Sequence, residues 1–77
     1  MTRELTYGER AVGATFNPSG NDDVHQIKIA YANLIDMLDR KRQGTVTGEA
    51  KRLYSIAITE AQTAQMWAVK ATTWPDV

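Results

Sequence analysis

Gly44-Thr45-Val46-Thr47-Gly48 separates two long runs of helical periodicity, and a link this short makes neighbouring helices antiparallel. Upstream, Val24, Ile27, Tyr31, Leu34, Ile35 and Leu38 recur at helical spacing, and Arg40, Lys41 and Arg42 suit a last turn with Gly44 as its C-terminal cap. Ser19 with Asp22 resembles a capping box, and Asp22 and Asp23 put negative charge at the positive end of the helix dipole. The spacing therefore predicts a first helix over roughly 20–42. Downstream, Thr47 has N-cap chemistry, Glu49 follows it, Lys70 lies near the end and Pro75 beyond, so a second helix is predicted from about Thr47 to about Thr72. At 1.5 Å per residue each helix is about 33 to 38 Å long.

The fold expected is all-α: an antiparallel two-helix hairpin over 19–74, preceded by an N-terminal arm over 1–18. The arm is polar and contains glycine, with a short helical turn around Glu4 to Val12. It ends where Pro18 pushes Asn17 out of the helical region.

A chain of 77 residues has room for one domain and buries only about 60% of the surface its unfolded form exposes. Small domains are reinforced by disulfides, a structural metal or self-association. With no cysteine and one histidine, the first two fail on inventory. The second helix points the same way. Leu53, Ala57, Ala61, Ala64, Ala68 and Ala71 form a small-residue stripe that admits another helix closely, while Ile56, Ile58, Met66, Trp67, Val69 and Trp74 point to other sides. Two helices cannot cover all of that surface, so the surplus predicts a subunit interface in a symmetric homo-oligomer, the other reading being that the arm folds back over it.

Nine basic and nine acidic residues give zero formal charge, which disfavours a general nucleic-acid binder, so any anion site must be local. No apolar run approaches the roughly 20 residues of a membrane span, and Met1-Thr2-Arg3-Glu4 does not read as a signal peptide, so a cytoplasmic protein is expected. His25 stands alone beside Asp22 and Asp23 and reads as a surface histidine rather than a metal ligand. Ser19 is explained as a cap, and Ser55 has no histidine at helical spacing, so nucleophilic catalysis has no candidate. Asp36 and Asp39, near Arg40 and Arg42, read as a solvated face held by ion pairs. The link lacks the lysine of a phosphate loop. Neither a cofactor nor an enzyme is expected.

Phe16-Asn17-Pro18-Ser19-Gly20 is different, because it sets an aromatic and a turn against the start of the helix that carries Lys28. A ring, a cluster of backbone N–H groups and a cation within one short segment can grip a flat, negatively charged ligand. The residues alone leave a second reading open, which composition favours: Phe16 as a hydrophobic staple and Lys28 as an ordinary solvated charge. Tyr7, Arg10, Lys70 and Trp74 could likewise line a pocket, although Tyr7 and Trp74 could equally be packing.

The pattern Phe16-Asn17-Pro18-Ser19-Gly20, Val24, Ile27-Lys28, Ala32, Ile35-Asp36 and Met66-Trp67-Ala68-Val69-Lys70-Ala71 resembles the small phage hairpin family that contains the anti-CBASS cyclic-oligonucleotide sponges. Related anti-Thoeris sponges share the hairpin. The resemblance reverses the choice just left open. It implies multimers, typically hexamers, that sequester cyclic di- or trinucleotide immune signals in the host cytoplasm without degrading them. The charge balance and the lack of a long apolar run leave no nucleic-acid polymer and no membrane as expected partners. The lysine after isoleucine matches Lys28, which the resemblance makes a ligand contact, with Asn17 and Ser19 of the adjoining turn beside it. For the partner aromatic, relatives place Gly-Tyr-Arg in the arm, whereas this chain reads Tyr7-Gly8-Glu9-Arg10, which leaves Phe16 as first choice and Tyr7 as second. A second, trinucleotide site in the group involves an arginine, for which Lys70, Arg10 and Arg52 are the candidates. Two rivals stand beside this reading: a sponge for a cyclic ADP-ribose isomer, and a protein-interaction module without a nucleotide ligand.

Overall fold

The computed structural model describes residues 3–75, and three helices are the regular elements among them: α1 (Tyr7–Val12), α2 (Asp22–Gly44) and α3 (Gly48–Thr72). The arm thus holds a six-residue helix, shorter at its start than the turn expected from Glu4. Thr6 begins it through a reciprocal capping box: Glu9 N donates to Thr6 Oγ1 at 3.1 Å and Thr6 N donates to Glu9 Oε1 at 2.8 Å. Gly13, at φ 64°, ends it in the left-handed region, a conformation that favours glycine.

Arg3 reinforces the box with two guanidinium bonds to the Glu9 carboxylate, at 2.7 and 2.6 Å. These bonds, followed by the Thr6 N–H, lower the Glu9 pKa from 4.5 to about 2. A depressed carboxylate contributes its stability fully above the unfolded value and loses it as pH falls through the folded one. On acidification the start of α1 should therefore loosen between pH 4.5 and about 2, tracked by the Glu9 carboxyl shift and the Thr6 amide in NMR. A Glu9 midpoint at 4.5 would contradict the pairing.

The expected Ser19 cap is corrected. Asn21 caps α2, its Oδ1 accepting from Asp23 N at 2.8 Å and Val24 N at 3.3 Å, while the Ser19 hydroxyl donates to Asn17 Oδ1 at 2.8 Å. Gly44 is also not a cap. It is the last residue of α2, and the chain leaves through Thr45 in an extended conformation. Thr47 caps α3 as expected, accepting from Ala50 N at 3.2 Å. A Cβ on Gly48, the first residue of α3, would meet nothing within 4 Å. Gly48→Ala should therefore raise stability by about 0.4–1 kcal/mol, read as a higher urea midpoint at unchanged slope.

The core lies where the three helices meet: Val12 from α1, Ala32 and Ile35 from α2, and Ile58 and Ala61 from α3, with Tyr31 and Leu38 packed against it. Here the expected small-residue stripe is corrected too. Ile58 is among the most deeply buried residues, Gln65 is buried as well, and of the stripe only Ala61 is fully covered, while Leu53, Ala64 and Ala71 are exposed. A bulky Ile58 can face α2 because Ala32 and Ala61 leave it room in the same cluster.

α2 packs against both other helices. Gly8 lets α1 lie almost directly on α2, for a Cβ there would fall 2.1 Å from the Ala32 carbonyl oxygen. Asp36 is likewise not part of a solvated ion-pair face: its Oδ1 accepts from Gly8 N at 2.7 Å. Asp39 does pair with Arg42, at 2.7 Å. The same guanidinium donates to Ser55 Oγ on α3 at 3.0 Å and lies 5.6 Å from the centre of the Tyr7 ring, so one side chain touches all three helices. The Asp39 bond raises the Arg42 pKa further.

The molecule is thin, with Cα extents of 49 × 35 × 12 Å. Among the described residues ten large hydrophobic side chains, Leu53, Ile56, Met66, Trp67 and Trp74 included, stay exposed against six buried hydrophobic residues, so the three helices leave much of their apolar surface uncovered. Among the described residues no helix is long and apolar enough to cross a membrane.

Candidate functional site

The antiparallel hairpin brings the end of α3 beside the start of α2, and the Phe16–Gly20 turn closes over that junction. Asn17-Pro18-Ser19-Gly20 is a β-turn, with Gly20 N donating to Asn17 O at 3.0 Å and Gly20 at φ 65°. The Asn17 amide fastens it to α2 by donating to Asn21 O at 2.9 Å. Beneath lies a cavity of about 190 Å³ lined by Phe16, Asn17, Pro18, Ser19, Val24, Lys28, Val69 and Thr73.

Lys28 forms one wall. It is only 7% exposed, its ammonium donates to the Gly13 carbonyl at 3.1 Å and to the Phe16 carbonyl, and it lies 5.6 Å from the centre of the Phe16 ring. An ammonium has three donors, so two fasten the loop and one remains. Among the described residues the ion pairs are Arg3–Glu9, Arg42–Asp39 and Arg52–Glu49, and Lys28 belongs to none of them. A nearly buried cation held, among the described residues, by two carbonyl dipoles and one ring face, beside a cavity, favours an anion there.

Of the seven residues singled out in the sequence, four meet here: Phe16, Asn17, Ser19 and Lys28. The staple reading of Phe16 fails, because the residue is 70% exposed, and Lys28 is not a solvated charge. The other three lie elsewhere. Tyr7 packs beneath Arg42, and Arg10 donates to the Leu5 carbonyl at 3.4 Å. Lys70 lies 5.5 Å from the centre of the Trp67 ring and, with Trp67, Ala71 and Trp74, borders a separate open groove on α3. Arg52 pairs with Glu49 at 2.5 Å near the start of α3. The lining residues that were not singled out are Pro18, Val24, Val69 and Thr73. Val69, in the last turn of α3, and Thr73, its C-cap, are four apart, and Thr73 Oγ1 donates to Val69 O at 2.9 Å. Their spacing was the signal, but it becomes informative only once the hairpin register is known. His25 is exposed, and among the described residues no group of histidine and carboxylate side chains could hold a metal.

Neither curated proteins nor solved structures gave a match to the chain. A family model, described as Acb2/Tad1, hairpin domain, matches residues 9–73. That span takes in most of α1, the Phe16–Gly20 turn, all of α2 and α3, and every residue that lines the cavity. The chain belongs to the Acb2/Tad1 hairpin domain family.

Proposed function

We propose that this protein is a phage immune antagonist, an anti-CBASS sponge that binds cyclic di- or trinucleotide second messengers and withholds them from host effectors without cleaving them. The observation that carries the reading is Lys28, a nearly buried ammonium that has no carboxylate partner among the described residues and is set against a cavity roofed by the Phe16 turn. In this reading Phe16 stacks on a base, the remaining Lys28 N–H meets a phosphate, and Asn17 and Ser19 shape the rim. Capture asks only for a rigid, enclosed site, and each charge-assisted contact contributes about 1.5 to 3 kcal/mol.

The cavity of about 190 Å³ is smaller than the roughly 300–1,000 Å³ of typical ligand pockets, so one chain holds only part of such a ligand. A second copy supplies the rest, and the uncovered apolar side chains of α3 are the surface through which copies associate. A two-fold interface would present Lys28 and Phe16 twice, matching a ligand with two phosphates and two bases. The family resemblance makes a hexamer the expected assembly. Tyr7, Arg10 and Lys70 do not line the cavity, and in this reading they meet a ligand held by a neighbouring copy.

Native mass spectrometry with a panel of cyclic di- and trinucleotides and cyclic ADP-ribose isomers tests the reading, reporting stoichiometry and ligand class together. Oligomers that take up cyclic oligonucleotides and return them intact after heat denaturation support it. Preference for an ADP-ribose isomer would move the protein to the anti-Thoeris class, linear product to the nucleases, and a monomer without nucleotide affinity to the protein-interaction modules.

A further inference from the structure

We infer that Asp36, which touches no part of the cavity, is a positioning residue for ligand capture, acting through α1 on Lys28 and Phe16; the inference rests on the function proposed above. α1 is pinned to α2 at both ends. At its start, Gly8 N donates to Asp36 Oδ1 at 2.7 Å, and at its end the Gly13 carbonyl accepts from Lys28 Nζ at 3.1 Å. At the first of these points Gly8 also lies so close to Ala32 that no side chain would fit. Lys28 and Asp36 are two turns apart on α2, about 12 Å, and α1 spans the gap as a short strut.

The strut ends in the binding loop. Gly13 turns the chain at φ 64°, and its carbonyl accepts from Phe16 N at 2.9 Å as well as from Lys28. The Phe16 carbonyl takes the second Lys28 bond. Where α1 sits on α2 therefore fixes where the Phe16 ring and the Lys28 ammonium stand. Arg42, against Tyr7, steadies the near end of the strut, but among the described residues of α2 it is the Asp36 carboxylate that bonds to the α1 backbone there. Without that acceptor the docked loop becomes one conformer among several, and the apparent affinity falls by the fraction lost.

The test compares Asp36→Ala with Asp36→Asn, whose amide oxygen still accepts from Gly8 N. Two readouts are needed: calorimetric Kd for the cyclic oligonucleotide that the unsubstituted protein binds, and residue-resolved hydrogen exchange on the free protein. Asp36→Ala should weaken binding about tenfold and quicken exchange over residues 8–16, with Ile35 and Ile58 still protected. Asp36→Asn should recover most of both. Unchanged affinity in the alanine variant, or protection lost equally at Ile35 and Ile58, would overturn the inference, the latter by making Asp36 a determinant of the whole fold. If the unsubstituted protein binds no cyclic oligonucleotide, the proposed function fails by itself. Exchange then decides the link: faster exchange at residues 13–16 supports it, and unaltered exchange overturns it.

Discussion

Lys28→Ala is expected to weaken binding of the preferred cyclic nucleotide by about 100-fold or more, since it removes two things at once. The first is the contact proposed for the third N–H with a phosphate, worth about 1.5 to 3 kcal/mol, or roughly ten- to 150-fold. The second is the hold on the loop. The Gly13 and Phe16 carbonyls lose their shared donor, and the ring is no longer set opposite the end of α3. Lys28→Met separates the two, because it keeps an apolar stem of similar length and removes only the ammonium. It should lose as much affinity as the alanine variant while giving up less thermal stability. Calorimetry on both variants, beside their melting curves, makes the comparison. Undiminished affinity in Lys28→Ala would remove the site from this cavity and leave family membership untouched.

Gly8→Ala should be the most damaging exchange of a single small residue. The added carbon would lie 2.1 Å from the Ala32 carbonyl oxygen, 2.9 Å from its carbon and 2.9 Å from Asp36 Oδ1. The first two atoms are helix backbone and cannot swing aside. α1 must lift, which adds the loss of the Gly8–Asp36 bond to the overpacking. Overpacking costs about 1–3 kcal/mol and the bond to a carboxylate about 1.5–3, so a total of roughly 3–5 kcal/mol is expected. Domain stabilities are only about 5–15 kcal/mol, so the urea midpoint should fall by a large fraction. A variant within about 0.5 kcal/mol of its parent would mean that α1 does not rest on Ala32.

The hairpin was legible because its signals are local. A link bounded by two glycines, periodic apolar residues on both sides and Thr47 as a cap each act within a turn or two of chain. Local signals were also where the small errors arose. Asn17, Ser19 and Asn21 all carry capping chemistry within five positions, and only the bonds they form show that Asn21 takes the helix while Ser19 serves the turn. Asp36 and Ile58 were misjudged for a different reason. What each touches is set by the register of packed helices, which the sequence of one helix does not contain: Asp36 meets an amide 28 positions away, and Ile58 meets the Ala32 face. The cavity was half visible. Phe16, Asn17, Ser19 and Lys28 lie within one segment and read as a unit, whereas Val69 and Thr73 arrive from the far end of the chain. That segment, with the motifs along both helices, also carried the resemblance to the phage hairpin sponges, and the family model matches over 9–73.

Lys28 is held in place before anything enters the cavity, by carbonyls of the chain itself. Arrival of an anion therefore requires no search by a flexible loop, and encounter rather than rearrangement sets the pace of uptake. For a scavenger of the kind proposed, which would compete with signalling proteins for a scarce messenger, swiftness counts as much as residence time. A cation parked on its own backbone gives the protein that readiness.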